Sequence, residues 1–433
     1  MRIVGGLVAA VLAMSAARAQ PADMPWSFAG LRPLYRGSDG QFTLALRTRL
    51  QIDTATFDRE TGAAHLRSGG LVRRAYLGVE GDAFAGFHYE FRIDFAGSRL
   101  NLDQPIVNLA RISYDFGRER AHIRVNTGLI KPIFTLDDST SSASLLFLER
   151  SAVINVATTG YGGGTPRPGV ELTFEEPDVL HAGDNLLVSG AFTGRATAGG
   201  NSGSHLLGRA AYRLWSDDFS SLQLGGSAAR ILHGANAPGR AIVLEDAPEI
   251  RVDGRELVST GALPARGGTL WGLEGAATIA NFYLAGEYYR FGVDGAGADS
   301  RFSGWYIQGS WILTGQTRLY VPDATNNNFA TFANPRVGAP VSLLRHDWGV
   351  WEIAARYSSL DLDWREGVAG AACGLCVRGG AQAIWTLGLN WYPSDNFRVM
   401  LDYMRVDVDR LDAAGGQMGR RFDVVATRLQ FAN

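Results

Sequence analysis

Arginine side chains occupy alternating positions in the first third of the chain, and their chemistry suits the binding of anions. Arg47 and Arg49 are two residues apart, which places both guanidinium groups on one face of an extended strand. A guanidinium presents a rigid fork of N–H donors that matches two oxygens of a phosphate or a carboxylate. The predicted anion path is lined by Arg47, Arg49, Arg74, Arg92, Arg111 and Arg124.

Acidic residues share the same faces and leave a second interpretation open. The alternation assigns five further arginines to inward faces: Arg209, Arg213, Arg356, Arg398 and Arg428. It assigns nine acids to them as well: Asp53, Glu80, Glu90, Asp94, Asp115, Glu274, Glu287, Glu352 and Asp402. Either the basic excess concentrates anions between low-dielectric walls, or the opposite charges pair across the wall and leave little selectivity.

A long segment, residues 131–168, supplies a second group of charges and begins with the single lysine of the chain. We expect it to fold inward as a constriction, with a short helix over residues 142–153 anchored by Leu145, Leu146 and Leu148. The predicted constriction residues are the basic Lys131 and Arg150 and the opposing Asp137 and Asp138. The alternative is an external loop that never enters the lumen.

The elements that would position these side chains are β-strands with one apolar and one charged face. In residues 42–53, Phe42, Leu44 and Ile52 alternate with Arg47 and Arg49. A soluble sheet would bury the apolar face, whereas a membrane barrel would turn it to lipid and the arginines to a wet lumen.

The same alternation recurs along the chain and predicts an all-β fold, a 16-stranded antiparallel transmembrane β-barrel. The predicted strands are 42–53, 71–80, 87–96, 106–116, 121–130, 169–176, 185–194, 205–215, 221–231, 269–279, 281–292, 303–314, 347–358, 383–392, 396–408 and 421–431. The last strand can pair with the first, and a closed ring of this size leaves an aqueous channel, for which we expect a polar lumen.

Connections between the predicted strands alternate in length, long and then short, with residues 315–346 as a long exception. Short turns at one end and long loops at the other are typical of outer-membrane barrels. Aromatic residues near the short turns fit an interfacial girdle: Tyr114, Phe116, Trp215, Trp391 and Tyr392. We expect residues 42–433 to form the barrel and 315–346 to be a periplasmic connection.

The first residues are typical of an exported protein. An apolar run follows Arg2, and the small residues Ala17 and Ala19 fit a cleavage site after residue 19. We expect residues 1–19 to be a cleaved signal peptide, residues 20–41 to be a periplasmic segment, and the protein to lie in the bacterial outer membrane. Export also favours a disulfide between Cys373 and Cys376, with free thiols or a redox pair as alternatives.

Composition and motifs limit the other functions. The net charge is −2, so nucleic acid is not an expected partner. No P-loop, nucleophile elbow or zinc-protease motif occurs, and two cysteines alone cannot complete a zinc site. We expect no enzyme activity, cofactor or metal. The rival hypotheses are a general, weakly selective porin, an outer-membrane barrel enzyme, and a soluble exported all-β binding protein.

Several segments together resemble the phosphate-selective porins of the O/P family. They are "LVRRAYLGVEG", "GLIKPIF" with "LFLERS", "GWYIQGSWILTG", "WEIAARYSSLDL" and "LGLNWYPSDNFRVMLDYMRV". The resemblance implies a trimeric outer-membrane channel for phosphate or related small anions, in contact with lipid and lipopolysaccharide. It also implies an arginine ladder leading to a lysine-lined constriction, and a long connection after the "LTG" motif.

Two residues of the predicted path and constriction lie within the matched segments, and two features of the chain depart from the family pattern. Arg74 lies in the matched "RR" pair and Lys131 in the matched "KP", whereas the alternation predicts that Arg73 faces outward, near lipid phosphates. The constriction segment contains no second lysine. The chain ends "LQFAN", whereas such barrels usually end on an aromatic residue.

Overall fold

A computed structural model describes residues 25–29, 31–38, 40–61, 65–96, 106–117, 121–164, 166–195, 203–217, 219–232, 241–295, 298–322 and 329–433. The expected signal peptide, residues 1–19, lies outside these ranges, as do residues 20–24 of the expected N-terminal segment.

Sixteen antiparallel strands form a closed barrel, which confirms the predicted fold class. The strands are β1 (Thr43–Asp58), β2 (Gly69–Asp82), β3 (Phe87–Asp94), β4 (Ile106–Gly117), β5 (His122–Ile130), β6 (Arg167–Pro177), β7 (Asn185–Thr193), β8 (Ser204–Ser216), β9 (Ser220–Leu232), β10 (Leu263–Ile279), β11 (Phe282–Gly295), β12 (Ser300–Ile312), β13 (Val350–Trp364), β14 (Val377–Ser394), β15 (Phe397–Asp409) and β16 (Arg420–Ala432). Each predicted strand overlaps one of these.

Closure occurs between β16 and β1, where Arg428 lies opposite Asp53 and Phe431 lies opposite Leu50. This pairing satisfies the backbone groups of both edge strands, which a membrane requires because lipid offers them no hydrogen bonds. Closure therefore follows the same pairing that the sequence predicts.

The alternation within β1 has the orientation of a membrane barrel. Leu50 and Ile52 are 41% and 39% exposed on the outer wall, whereas Gln51 and Asp53 are completely buried on the inner side. Trp271, Trp305 and Trp385 continue the exposed outer wall around the barrel. Of the predicted girdle, Phe116 and Trp215 are exposed, but Tyr392 is buried and donates to Glu352, so its outward assignment is wrong.

A hairpin that the alternation did not reveal precedes β1. It comprises Trp26–Ala29 and Arg32–Arg36, and its second strand pairs with β1 at Leu34 opposite Ala45. Asn433 donates to the carbonyl oxygen of Leu31 (2.9 Å), so the last residue lies beside this hairpin. The first and last described segments therefore meet at the end of the barrel that carries most short turns.

A β-bulge corrects the predicted orientation of Arg73. Gln51 of β1 pairs with Arg74, but the next residue, Ile52, pairs with Val72, so Arg73 is an additional residue in β2. A bulge lets consecutive residues point to the same side of a sheet. Both Arg73 and Arg74 are consequently buried on the inner side, and Arg73 does not face lipid.

Two helices lie in the connection between β5 and β6: α1 (Leu136–Ser139) and α2 (Ala152–Tyr161). No helix in the described ranges is both long and apolar enough to cross a membrane. The helix predicted over residues 142–153 is wrong, because carbonyl groups there accept hydrogen bonds from the barrel wall. Gln430 donates to Ala143, Arg398 to Leu146 and Arg356 to Glu149. The predicted anchoring leucines are nevertheless buried: Leu145, Leu146 and Leu148.

Apolar residues cover part of the inner wall, which differs there from the polar lumen that we expected. Helix α2 buries Val153, Ile154 and Val156 against inward-facing residues such as Phe291 and Phe302. The described part of the β9–β10 connection, residues 241–262, adds Ile242 and Ile250 to this cluster. Burial of these groups stabilises the inserted connection and leaves a polar inner surface elsewhere.

Candidate functional site

A cavity of about 370 Å³ lies between β1–β4 and the β5–β6 connection. Six arginines and Lys131 line it, together with four acidic residues. The basic residues are Arg47, Arg49, Arg73, Arg74, Arg92, Lys131 and Arg150, and the acidic residues are Glu90, Asp94, Asp138 and Asp395. A hydroxyl-rich segment, residues 139–144, forms the opposite side.

The cavity brings together most of the residues that the sequence singled out. Arg47, Arg49, Arg74 and Arg92 line it from strands β1 to β3. Arg111, Arg124 and Asp137 are not among its lining residues. Arg111 donates to Glu90 (3.0 Å), and Arg124 forms an ion pair with Asp115, so these two arginines are neutralised on the wall.

Arg49 reaches across to the hydroxyl segment. Its two Nη atoms donate to the Oγ atoms of Ser142 (2.6 Å) and Ser141 (3.0 Å). Its Nε is buried without a hydrogen-bond partner. Within the described ranges, no carboxylate forms an ion pair with this guanidinium.

Arg74 is held by an amide rather than by an acid. Its Nη1 donates to Oε1 of Gln51 (2.7 Å), and Gln51 in turn donates to the carbonyl oxygen of Ser142 (3.0 Å). Among the residues that the structure describes, no carboxylate forms an ion pair with Arg74. Its guanidinium therefore retains donors that face the cavity without a neutralising charge.

Tyr76 stacks between two of the cavity arginines. The guanidinium carbon of Arg49 is 5.5 Å from the ring centroid and that of Arg92 is 5.0 Å from it. Arg92 also donates to Asn108 (2.8 Å) and lies 3.5 Å from Glu90. The aromatic face stabilises two like charges that would otherwise repel each other.

The bulged Arg73 fixes the connection to the wall. It forms a buried ion pair with Glu149, in which Nη2 lies 2.9 Å from Oε2. Burial acts to raise the pKa of Glu149, but the charges of Arg73 and Arg74 hold that pKa well below its usual value. Glu149 is therefore ionised and neutralises Arg73 rather than Arg74.

Lys131 and Arg150 share the acids of helix α1. Lys131 Nζ lies 2.9 Å from Asp138, and Arg150 lies 3.5 Å from Asp137. Burial lowers the pKa of Lys131 to about 8, against the opposing effect of Asp138. Burial also raises the pKa of Asp137, although Arg150 opposes that shift.

Inward arginines of the later strands differ from Arg49 and Arg74, because Arg209, Arg356 and Arg428 form buried ion pairs and donate to carbonyl groups of inserted segments. Arg398 donates to the carbonyl oxygens of Ala143 and Leu146, and the guanidinium of Arg213 lies over the ring of Tyr320. Arg209 pairs with Glu274 (2.7 Å) and donates to the carbonyl oxygens of Phe329 and Ala330. Arg428 pairs with Asp53 (2.6 Å). For these residues the alternative of charge pairing across the wall is correct.

The connection between β12 and β13, of which the structure describes residues 313–322 and 329–349, also contacts the inner wall. Arg318 forms an ion pair with Glu352 (2.8 Å) and donates to the carbonyl oxygen of Ser144 (2.9 Å). Phe332 packs against Leu136 and Phe147. Asn334 lines the cavity and donates to the carbonyl oxygen of Ala143 (3.0 Å).

Sequence reasoning missed Arg73, the serine segment and Asn334. A bulge leaves no mark in an alternating pattern, so Arg73 was assigned to the wrong face. The run of hydroxyls in "DDSTSSAS" was visible, but only contacts with Arg49 identify it as a cavity wall. Cys373 and Cys376 are joined by a disulfide in the β13–β14 connection, away from the cavity.

The closed barrel, its exposed apolar outer wall and its basic inner cavity define a porin, a channel protein of the outer membrane. The chain belongs to the family of phosphate-selective porins O and P, whose family model matches residues 44–432.

Similar proteins cover nearly the whole chain. An uncharacterised protein from Caulobacter vibrioides is 28% identical over 97% of this chain and 81% of its own length. Porin O from Pseudomonas aeruginosa is 24% identical over 91% of this chain and 89% of its own length. Among solved structures, an anion-selective porin from Comamonas acidovorans has a TM-score of 0.50 at 13% identity, covering 90% of this chain and all of that one, and it supports the fold alone.

Proposed function

We propose that this porin mediates passive diffusion of small anions, phosphate among them, through the arginine-lined cavity. The observation that carries the proposal is the state of Arg49 and Arg74. Both line the cavity, and among the described residues neither forms an ion pair with a carboxylate. An uncompensated buried charge is costly, so such a site favours a mobile counter-ion of opposite sign.

The surrounding charges support the same proposal. Seven basic side chains line the cavity against four acidic ones. Five of the seven form ion pairs: Arg47 with Glu80, Arg73 with Glu149, Arg92 with Glu90, Lys131 with Asp138 and Arg150 with Asp137. Among the described residues, Arg49 and Arg74 form no such pair. A lumen with low-dielectric walls amplifies the remaining positive field. The family description names phosphate, which agrees with this sign.

Each rival function predicts a different experimental result. A general porin would show a reversal potential close to zero in a salt gradient. A barrel enzyme would turn over lipid or peptide substrates, and a soluble binding protein would remain in solution without detergent. Family and fold favour the channel over the last two.

The test of anion preference is the reversal potential of the purified porin in planar bilayers under a potassium chloride gradient. We expect the sign that corresponds to chloride permeation, with inorganic phosphate reducing the chloride current. A reversal potential of the opposite sign would refute anion preference and leave the channel itself intact.

Substitution of the uncompensated arginines tests the residues themselves. We expect Arg49→Gln and Arg74→Gln each to lower the anion-to-cation permeability ratio, by about two- to tenfold for a charge interaction of roughly 1 kcal/mol. The matched control is Arg421→Gln, because Arg421 is exposed and pairs with Asp407 outside the cavity. An unchanged ratio in both cavity variants would remove Arg49 and Arg74 from the anion path.

We further propose that residues 131–168 constrict the channel, that residues 315–346 enter the lumen from the periplasmic end, and that residues 20–41 are periplasmic. The protein would be exported by cleavage after residue 19 and would assemble as a homotrimer in contact with lipid and lipopolysaccharide. N-terminal sequencing of the mature protein tests the cleavage, and cross-linking in intact outer membranes tests the trimer.

A further inference from the structure

Arg73 and Arg74 are consecutive residues on the inner side of β2, but only one of them is ion-paired. Arg73 pairs with Glu149 (2.9 Å), and Arg428 lies 3.2 Å from the same carboxylate. Burial acts to raise the pKa of Glu149, and the charges of Arg73 and Arg74 oppose it, so Arg74 lies within electrostatic range of that carboxylate. A feature of the wall must therefore hold Arg74 apart from a carboxylate that binds two other arginines.

This feature is a chain of two amides, those of Gln51 and Gln430. Gln430 Nε2 donates to the carbonyl oxygen of Ala143 (3.0 Å), so Gln430 Oε1 is left to accept from Gln51 Nε2 (2.6 Å). Gln51 Nε2 also donates to the carbonyl oxygen of Ser142 (3.0 Å), so both of its donors are used. Gln51 must therefore present Oε1, an uncharged acceptor, to Arg74 Nη1 (2.7 Å).

The inward row of β1 shows what an amide achieves at this position. Gln51 and Asp53 are two residues apart, and both are completely buried. Asp53 neutralises Arg428 (2.6 Å), whereas Gln51 orients Arg74 without neutralising it. A carboxylate at position 51 would extend the ion-paired network to Arg74 and would remove an uncompensated charge from the cavity.

The donors of Arg74 that Gln51 leaves free are open to the cavity. Arg74 lines the cavity, and within the described ranges its Nε and Nη2 form no hydrogen bond, yet neither atom is shielded from solvent. The two amides also bind the carbonyl groups of Ser142 and Ala143 in the segment opposite. Gln51 therefore fixes both the guanidinium and the segment that faces it.

We propose that Gln51 is the positioning residue of the anion path, whose neutral amide holds Arg74 toward the cavity and apart from Glu149. This proposal rests on the proposed anion channel and assigns one origin of its selectivity. Gln51 is completely buried and is not among the residues that line the cavity, so it acts through Arg74 and binds no ion itself. Without the amide acceptor, Arg74 pairs with Glu149 as Arg73 does.

A neutral substitution tests this role, because it removes the amide without changing the charge of the channel. We expect Gln51→Met to lower the anion-to-cation permeability ratio by about two- to tenfold, as Arg74→Gln does, since either variant deprives the cavity of one uncompensated charge. Reversal potentials in planar bilayers under a potassium chloride gradient measure the ratio. Gln51→Leu removes the same amide with a shorter side chain, so either variant decides the question if the other does not assemble.

A double-mutant cycle separates the positioning of Arg74 from a change in the shape of the channel. In an Arg74→Gln background, Gln51→Met should leave the ratio unchanged, because no guanidinium remains to be positioned. In the native background, Gln51→Glu should lower the ratio at least as far as Gln51→Met does. Its carboxylate would pair with Arg74 as Asp53 pairs with Arg428.

The matched control is Gln382→Met, which should retain the native ratio. Gln382 is another buried glutamine on the inner side, it does not line the cavity, and it forms no hydrogen bond within the described ranges. An anion-selective porin whose ratio is unchanged in Gln51→Met would overturn the role of Gln51 and leave the anion channel standing. An equal fall in the native and Arg74→Gln backgrounds, or in Gln382→Met, would do the same. A cation-selective reversal potential of the native porin would overturn both proposals.

Discussion

The inward arginine side chains of this porin have two different kinds of partner. Arg209 and Arg428 are ion-paired at 2.7 and 2.6 Å and donate to carbonyl groups of the inserted segments. Arg49 and Arg74 contact only uncharged partners, namely serine hydroxyls and an amide. The partner rather than the residue type therefore decides whether an inward guanidinium is neutralised within the fold or remains uncompensated at the cavity.

Substitution of a buried, ion-paired arginine should lower the free energy of unfolding far more than substitution of an exposed one. We expect Arg428→Met to lower the free energy of unfolding by about 3–5 kcal/mol, because it leaves the carboxylate of Asp53 buried without its partner. Thermal or urea unfolding in detergent, followed by tryptophan fluorescence, measures this loss.

The control for Arg428 is Arg421→Met. Arg421 is largely exposed and pairs with Asp407 (2.9 Å), so its substitution should cost at most about 1 kcal/mol. Equal losses in the two variants would show that burial of the Arg428 pair contributes nothing beyond an exposed one.

The lowered pKa of Lys131 leads us to expect that anion selectivity depends on pH. Because burial lowers its pKa to about 8, this side chain is charged at pH 7 and neutral at pH 9. The cavity therefore loses one positive charge over this interval, and anion preference should fall as the pH rises through 8. Reversal potentials at pH 7 and pH 9 measure the change, and Lys131→Gln should remove it; a change that persists in this variant would point to another group.

At the scale of elements, the β5–β6 connection is stabilised by the wall rather than by its own backbone. Residues 142–150 offer their carbonyl groups to Arg356, Arg398 and Gln430, and a regular helix begins only at Ala152. The N-terminus of α2 is bound by Glu249, which accepts from the Ala152 amide (2.8 Å). Contacts with the surrounding barrel and its connections thus decide where α2 begins.

The C-terminus of α2 gives a prediction at the same scale. Gly162 adopts φ 96°, and an added Cβ would lie 2.7 Å from the ring of His205. We expect Gly162→Ala to destabilise the porin by roughly 1–2 kcal/mol from the left-handed backbone alone, and by more from the contact. The change in thermal midpoint measures this effect.

A glycine in ordinary strand conformation provides the comparison. Gly190 in β7 has no atom within 4 Å of its Cβ position, so Gly190→Ala should change the midpoint little. A midpoint for Gly162→Ala that equals the Gly190→Ala value would contradict the assigned strain and contact.

At the scale of the whole molecule, three connections pack against the inner wall of the sixteen-stranded barrel. The β5–β6 and β9–β10 connections contribute to one apolar cluster, and the β12–β13 connection packs Phe332 against the first of them. A ring of this size would otherwise hold a wide aqueous channel. We therefore expect these connections, rather than the number of strands, to set the width of the remaining path.

Removal of one insertion should widen the path. Leu319 pairs with Ala333, so residues 319–333 can be replaced by two glycines with little change in the positions of the flanking residues. We expect a larger single-channel conductance, because Phe329 and Phe332 no longer occupy the inner side. Deletion of Ala413 and Ala414, which are exposed in the β15–β16 connection, should leave conductance unchanged, and an unchanged conductance in the first deletion would show that residues 319–333 do not limit the path.

The barrel could be predicted from the sequence because the pattern that specifies each strand is local and recurs in every strand. Side chains alternate along every strand, so parity identified the lipid-facing side of β1 and the inward arginines. The exception has a local cause that a period of two does not record, namely the bulge that turns Arg73 inward. Tyr392 obeys the alternation, because it follows the outward Trp391 and donates to Glu352 on the inner side, so only its assignment to the girdle was wrong.

The sequence by itself determined the strands, the closure and the identity of the basic residues. Only the tertiary structure decided which arginines are neutralised, because ion pairs such as Arg428 with Asp53 and Arg209 with Glu274 join residues far apart in sequence. It likewise decided that "DDSTSSAS" forms one wall of the cavity and Asn334 another. These contacts arise from folding connections back into the ring, where the partner of each charged group depends on distance through space rather than on position along the chain.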